Sequence, residues 1–330
     1  LKRELCFELA RVTEAAALNA IPWRGKGNKN SADRAAVKAM RDIFRTVNIE
    51  GEIVTGEGEK DKAPKLKTGE KVGNGQGLEM DIAVDPIEGT SLVARGLPGA
   101  MTVIAVAAKG NMPGIPDIPM KKIAVGPAGQ GVININNKAE ENICSLADIK
   151  GKKVEDITVA VLNRPRHQKL ISEIRKLGAG IKLINEGDIA AGIATAIPDS
   201  DIDLLMGIGG GPEGVLTAAA LKCLGGDMQA QLYPDGEEEI EKIICSGIGD
   251  IHRNFKIDDL VGGQDIIFSA TGVTDGELLN GVIFRGERAS THSLILDNLT
   301  GEILEIHTLH NIEELYKHSD LIIKPKKTPG

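Results

Sequence analysis

The chain has 330 residues, enough for two domains of ordinary size, with 42 % hydrophobic and 26 % charged residues. A net charge of −8, an aromatic content of 2 % and the lack of a long basic stripe argue against a nucleic-acid partner, and no apolar run reaches the roughly 18 residues that a membrane span needs. Four scattered cysteines, Cys6, Cys144, Cys223 and Cys245, form no C-x-x-C pair, which argues against zinc and a disulfide framework and fits a reducing cytoplasm.

The opening stretch LKRELCFELARVTEAAALNA alternates charged and apolar residues at helical spacing and lacks the unbroken apolar centre of a secretory signal; it is read as an amphipathic helix. Leu1 stands where an initiator Met is expected, which suggests a non-AUG start or a trimmed end and bears on no function. A polar loop, RGKGNKNS, leads into SADRAAVKAMRDIF, where Val37, Met40, Ile43 and Phe44 recur at helical spacing. Ser31 is the expected N-cap, which puts Asp33 in the first turn. EIVTGEGEKDKAP reads as a strand running into a loop, and LEMDIAVD as a strand with Leu78, Met80, Ile82 and Val84 on one face. MTVIAVAA reads as a buried strand and KKIAVGPAGQGVININN as a hairpin around Gly126 to Gly131. This half is expected to pack helices on a largely antiparallel sheet.

From about residue 155 the pattern becomes strand, loop, helix. It runs through ITVAVLNRPRHQKLISEIRKLG, IKLINEGDIAAGIATAIP and DIDLLMGIGGGPEGVLTAAALKCLGG. Such alternation implies parallel strands with right-handed crossovers, and ligand loops beyond their carboxyl ends at NRPRH, NEGD and GIGGGPEG. GEEEIEK is read as a solvated helix start, and the stretch from about Asp265, with IIFSATGVTDGELL, as several short strands. The predicted class is α/β, or α+β with a parallel portion. Two domains are expected: 1–154, mixed α+β with most of the candidate metal ligands, and 155–330, α/β with the substrate loops.

Acidic side chains recur where strands and loops end: Asp33, Glu57 and Glu59 in GEGEKD, Asp61 just after, Asp85 and Glu88 in DPIEGT, and Glu213 in GGGPEG. Too few Arg and Lys lie nearby to neutralise them. Hard divalent cations take oxygen ligands, whereas the absence of His and Cys from these motifs disfavours zinc and copper. Two such ions can polarise a phosphoryl oxygen and stabilise a leaving alkoxide. GEGE alone has an ordinary reading as a glycine turn with surface glutamates. DPIEGT is more specific: Asp85 can ligate, Pro86 holds the turn, Glu88 returns to the same ion, Gly89 lets a phosphate approach the backbone, and Thr90 can orient a water. In GIGGGPEG the glycines open backbone N–H groups to an anion at a helix start, with Pro212 suited to an early helical position. Arg164 and Arg166 can clamp a phosphate, a bare surface pair being the competing reading. His167 beside them is a candidate substrate contact. His307 and His310, in HTLH, lack a third ligand nearby and are read as ordinary surface or core residues.

Taken together these motifs resemble those of the bacterial class II fructose-1,6-bisphosphatases, within the superfamily of metal-dependent, lithium-sensitive sugar and inositol phosphatases. The hallmark is DPIEGT with GEGE upstream, and ordered matches run through RVTEAAAL, NKNSADRAAVKAMR, GEGEKDKAP, GEKVG, RPRH, EGDIAA, GIGGGPEGV and IFSATGVTDG over nearly the whole chain. The resemblance implies Asp33, Glu57, Asp85, Glu88 and Glu213 as ligands of Mn²⁺ or Mg²⁺. It also implies that Thr90, with Asp61, positions and activates the attacking water and that Lys29 is a catalytic-site cation. Substrate contacts would come from Glu88, Gly89 and Thr90, from Arg164, Pro165 and Arg166, from Glu186, Gly187 and Asp188, and from Gly210. The implied fold is a layered α-β-α-β-α sandwich, and the implied assembly a homodimer or homotetramer. The implied activity is a cytoplasmic one: removal of the 1-phosphate of fructose 1,6-bisphosphate to give fructose 6-phosphate, in gluconeogenesis. One position departs from the pattern, because Pro119 stands where some members carry a substrate-contacting tyrosine. Sedoheptulose 1,7-bisphosphate or an inositol phosphate as substrate, and a catalytically dead sugar-phosphate sensor, are the alternatives.

Overall fold

Leu5, Leu9, Val12 and Ala16 form one buried stripe of helix α1 (Arg3–Ala20), as the helical spacing predicts. The computed structural model describes residues 3–56 and 66–314. Helix α2 (Lys29–Phe44) packs beside α1. Its N-cap is Asn28, whose side chain accepts a hydrogen bond from Ser31 N at 3.0 Å, so Ser31 is the third helical residue and not the cap. Asp33 consequently lies in the second turn.

The chain continues through β1 (Ile49–Thr55), β2 (Lys71–Val72) and β3 (Leu78–Glu88), then α3 (Thr90–Arg95) and β4 (Met101–Ala108). Next come β5 (Pro119–Val125), α4 (Ala139–Lys150), β6 (Thr158–Leu162), α5 (Gln168–Lys176), β7 (Gly180–Ile184) and α6 (Asp188–Ala194). They are followed by β8 (Leu204–Gly210), α7 (Gly211–Leu224), β9 (Asp227–Leu232), α8 (Glu237–Cys245), β10 (Asn254–Lys256) and α9 (Ile257–Leu260). The described chain closes with β11 (Ile266–Gly272), β12 (Ile283–Arg285), β13 (Arg288–Asp297) and β14 (Glu302–Asn311).

These strands form two mixed sheets. The eight-stranded sheet runs β12-β13-β11-β4-β3-β1-β2, with β14 on β13; β1 and β3 are parallel and the other pairs antiparallel. The six-stranded sheet runs β10-β9-β5-β8-β6-β7, with β6 parallel to both β7 and β8. Helices α1 and α2 cover the outer face of the first sheet, α6 and α7 fill the space between the sheets, and α4 and α5 cover the outer face of the second. The order is helix, sheet, helix, sheet, helix, the layering that the resemblance implied.

Three local expectations change. Only the first part of KKIAVGPAGQGVININN is a strand, because both edges of β5 are taken by β8 and β9 and no partner position remains for a hairpin. Ile133 and Ile135 are still buried, and the Gln229 side chain substitutes for a neighbouring strand, accepting from Ile135 N (2.9 Å) and donating to Ile133 O (2.7 Å). In β3 Leu78 is exposed, while Ala83, on the face opposite Met80, Ile82 and Val84, is buried, since this strand has a packed layer on each side. The stretch after Asp265 yields two strands of 10 residues, β13 and β14, in place of short ones. Neither sheet is confined to one side of residue 154, since β5 joins the second sheet and β11 to β14 complete the first.

Candidate active site

Strand β3 reaches the space between the sheets through Asp85, Pro86, Ile87 and Glu88, and its register against β4 slips between Asp85 and Glu88. Pro86 lacks an N–H, so the ladder breaks there and the strand bends. The Asp85 carboxylate is tied over the bend, accepting from Ile87 N at 2.9 Å. Gly89 takes φ = +85°, a left-handed conformation that favours glycine, and it turns the chain into α3. Thr90 Oγ1 donates to Ile87 O at 2.9 Å. With its proton engaged there, the hydroxyl faces further partners as an acceptor.

Glu213 approaches from the second sheet, in the first turn of α7. One oxygen from each of Asp85, Glu88 and Glu213 lies within 4.8 Å of the others. Glu213 Oε2 is buried with no hydrogen-bond partner among the described residues. Gly210 is what lets it fold back over the end of β8, because a Cβ there would stand 2.0 Å from Glu213 Oε2. Burial, followed by the charges of Glu213 and Asp188, pushes the Glu88 carboxyl up to about 8. Burial also raises Glu213, opposed by the nearby Lys122 ammonium. Crowded carboxyls with raised pKa values, one with an orphaned oxygen, are a donor set that fits a hard divalent cation.

Most of the residues singled out in the sequence line one cavity of about 360 Å³. From the first sheet and α2 come Lys29, Asp33, Asp85, Glu88, Gly89 and Thr90; from the second come Arg164, Arg166, Glu186, Gly187, Asp188, Gly210 and Glu213. Asp33 is only 7 % exposed. Pro165 is not among the lining residues and starts the short turn that carries Arg166. Glu57, Glu59 and Asp61 lie outside the described residues. Arg166 is held by a hydrogen bond from Nη2 to Ile208 O at 2.6 Å. Pro119 is not among the lining residues; it pairs across β5 and β8 with Gly210, which is, and offers no hydroxyl there. A larger cavity, about 780 Å³, shares Glu186 and Gly187, but its walls include Leu92, Ile184 and Leu279 and none of the three clustered carboxylates.

His167 does not serve as a substrate contact. It is buried, its Nδ1 donates to Leu162 O at 2.7 Å, and its Nε2 accepts from Ile208 N at 2.8 Å, so it bridges β6 and β8 as a neutral ring. Burial lowers its pKa accordingly. His307 stacks on His292 at a centroid distance of 4.1 Å, and His310 Nε2 lies 2.8 Å from Thr291 Oγ1. Sequence reasoning overlooked Asn30, Ser91, Gly209 and Leu162 in the cavity wall and Lys122 beneath it. For Lys122 a signal exists: it sits between Met120 and Ala124 at two-residue spacing on one strand face, an inward position.

The family described as bacterial fructose-1,6-bisphosphatase, glpX-encoded, matches residues 3–310. Fructose-1,6-bisphosphatase class 2 of Haemophilus influenzae is 44 % identical over 329 residues, 96 % of this chain and 99 % of that protein. Fructose-1,6-bisphosphatase 1 class 2 of Escherichia coli K12 is 42 % identical over 326 residues, covering 95 % and 97 %. Among solved structures, extragenic suppressor protein suhB from Bartonella henselae matches at 13 % identity over 58 % of this chain and 73 % of that one, with a TM-score of 0.34. With matches that span nearly its whole length, the chain belongs to the glpX-encoded bacterial fructose-1,6-bisphosphatase family.

Proposed function

We propose that this chain hydrolyses the 1-phosphate of fructose 1,6-bisphosphate to fructose 6-phosphate and inorganic phosphate, as a cytoplasmic step of gluconeogenesis. The observation that carries the reading is the meeting of Asp85, Glu88 and Glu213 within 4.8 Å, in a cavity that Arg164 and Arg166 also line. Mn²⁺ or Mg²⁺ is the proposed cofactor, held by these three carboxylates with Asp33 and Glu57. When bound, such an ion supplies Lewis-acid stabilisation of phosphoryl charge and makes water more acidic.

The chain's own residues supply positioning and electrostatics, which are most of what phosphoryl transfer requires. Thr90, with its proton held by Ile87 O, accepts a hydrogen bond from the attacking water and so aims a lone pair at phosphorus. Asp61 is proposed to share that task. Lys29, Arg164 and Arg166 offset the charge of a bisphosphate. Glu186, Gly187, Asp188 and Gly210 would meet sugar hydroxyls from the opposite wall, together with the Glu88 to Thr90 turn and the Pro165 segment. Among the described residues no helix is long and apolar enough to cross a membrane. A homodimer or homotetramer is part of the same proposal.

The test is phosphate release from fructose 1,6-bisphosphate with Mn²⁺, with Mg²⁺ and with a chelator, beside sedoheptulose 1,7-bisphosphate and inositol monophosphate. Release from a bisphosphate that stops on chelation is expected. Binding of fructose 1,6-bisphosphate with no release under any condition would favour the dead sensor, and preferred hydrolysis of the inositol ester would overturn the substrate assignment.

A further inference from the structure

Lys122 is a cation held at 2 % exposure directly beneath the candidate site. Its stem leaves β5 and crosses the first turn of α7, where a Cβ on Gly214 would come 3.5 Å from its Cδ. Its ammonium lies 2.5 Å from Asp188 Oδ2 and donates to Gly210 O at 3.1 Å. Asp188 is the first residue of α6, itself 4 % exposed, and Gly210 is the last residue of β8. One side chain thus joins three elements that meet at the cavity. The β8 backbone passes under the ion pair at Gly209, where a Cβ would lie 2.1 Å from Asp188 Oδ2 and 2.8 Å from Lys122 Nζ. Gly209 of GIGGGPEG therefore makes room for the lysine and its partner, while a Cβ on Gly214 would instead meet Met120 Sδ at 2.4 Å.

The Asp188 carboxylate, buried near Glu88 and Glu213, has the Lys122 ammonium on one oxygen as a buried counterion. We propose that Lys122 is a positioning residue for substrate binding, one that fixes Asp188 by one carboxylate oxygen so that the other faces the cavity, ready to accept from a sugar hydroxyl. This rests on the reading of the Glu186 to Asp188 loop as a sugar contact. A partner on a central strand of the sheet, and not on a loop, keeps that oxygen in one place before substrate arrives.

The experiment is steady-state kinetics on fructose 1,6-bisphosphate at saturating Mn²⁺, with wild type, Lys122→Met, Asp188→Asn and the double variant, each checked for folding by circular dichroism. The expected result is a KM raised about tenfold to a hundredfold in Lys122→Met with kcat changed far less, because misplacement by an ångström is enough for such losses. The double variant should be no worse than Asp188→Asn alone. A fall in kcat at constant KM is what a merely structural role predicts, and it would overturn the proposal, as would an unchanged KM in folded Lys122→Met. Should Lys122→Met fail to fold, the double variant, which buries no lone charge, decides: a KM equal to that of Asp188→Asn supports the proposal, and a further rise overturns it. A wild-type KM in Asp188→Asn would instead locate the failure in the sugar-contact reading of the loop.

Discussion

Titration of the cation-free protein tests the carboxylate cluster most directly. Burial and the charges of Glu213 and Asp188 push Glu88 to about 8, so at pH 7 roughly nine molecules in ten carry a proton there. A divalent ion requires the ionised form, and each ion bound at pH 7 must therefore release close to one proton. The affinity for Mn²⁺ should fall about fiftyfold between pH 8 and pH 6, the slope reaching about tenfold, about 1.4 kcal/mol, for each unit of pH well below 8. The same shift governs stability. A carboxyl whose folded pKa lies above its unfolded value of 4.5 contributes most below pH 4.5, and that contribution is lost as pH rises through about 8. The cation-free protein should accordingly become less stable over that window, and added Mn²⁺ should restore the midpoint most at its upper end. Calorimetric titration at pH 6, 7 and 8, in buffers of different ionisation enthalpy, measures affinity and proton release together. Glu88→Gln should lower affinity and flatten the pH dependence. Binding that is equally tight at pH 6 and pH 8, with no proton released, would refute the reasoning.

Asp85→Ala should lower phosphate release by roughly a thousandfold or more; near-normal turnover with Mn²⁺ would contradict the assigned role. Gly210→Ala places a methyl 2.0 Å from Glu213 Oε2 at an ordinary backbone angle, φ = −84°, so the glutamate must move. Weaker Mn²⁺ binding by about tenfold or more is expected in a titration, and an unchanged affinity would mean that Glu213 is not a ligand. His167→Ala leaves Leu162 O and Ile208 N without partners and should cost about 2 kcal/mol in denaturant unfolding. Since burial depresses the folded pKa of His167, its contribution is present above the unfolded value of 6.5 and lost as pH falls; wild type should therefore lose more stability than the variant on acidification below that point.

Much of the site was legible in the chain before any fold was known, because its chemistry is written in short segments. DPIEGT puts Asp85, Pro86, Glu88, Gly89 and Thr90 within six residues, and the bend, the ligand spacing and the hydroxyl contact seen there are local consequences of proline, glycine and threonine. The helical stripe of α1 and the largely apolar run of β4 were equally local. What stayed hidden depended on partners remote along the chain. The sequence VGPAGQGVININN carries an alternation that suits a hairpin, yet β5 pairs with β8 and β9, and Gln229 takes the place of the second strand. Lys122 drew no functional reading until Asp188 and Gly210 were found around its ammonium, and His167 was a candidate substrate contact until Leu162 and Ile208 occupied both nitrogens. Periodicity states which face of a strand turns inward, and residue type states which ligands an ion prefers. Only the long-range pairing of strands, decided by the burial of α6 and α7 between two sheets, determines which of those inward groups meet.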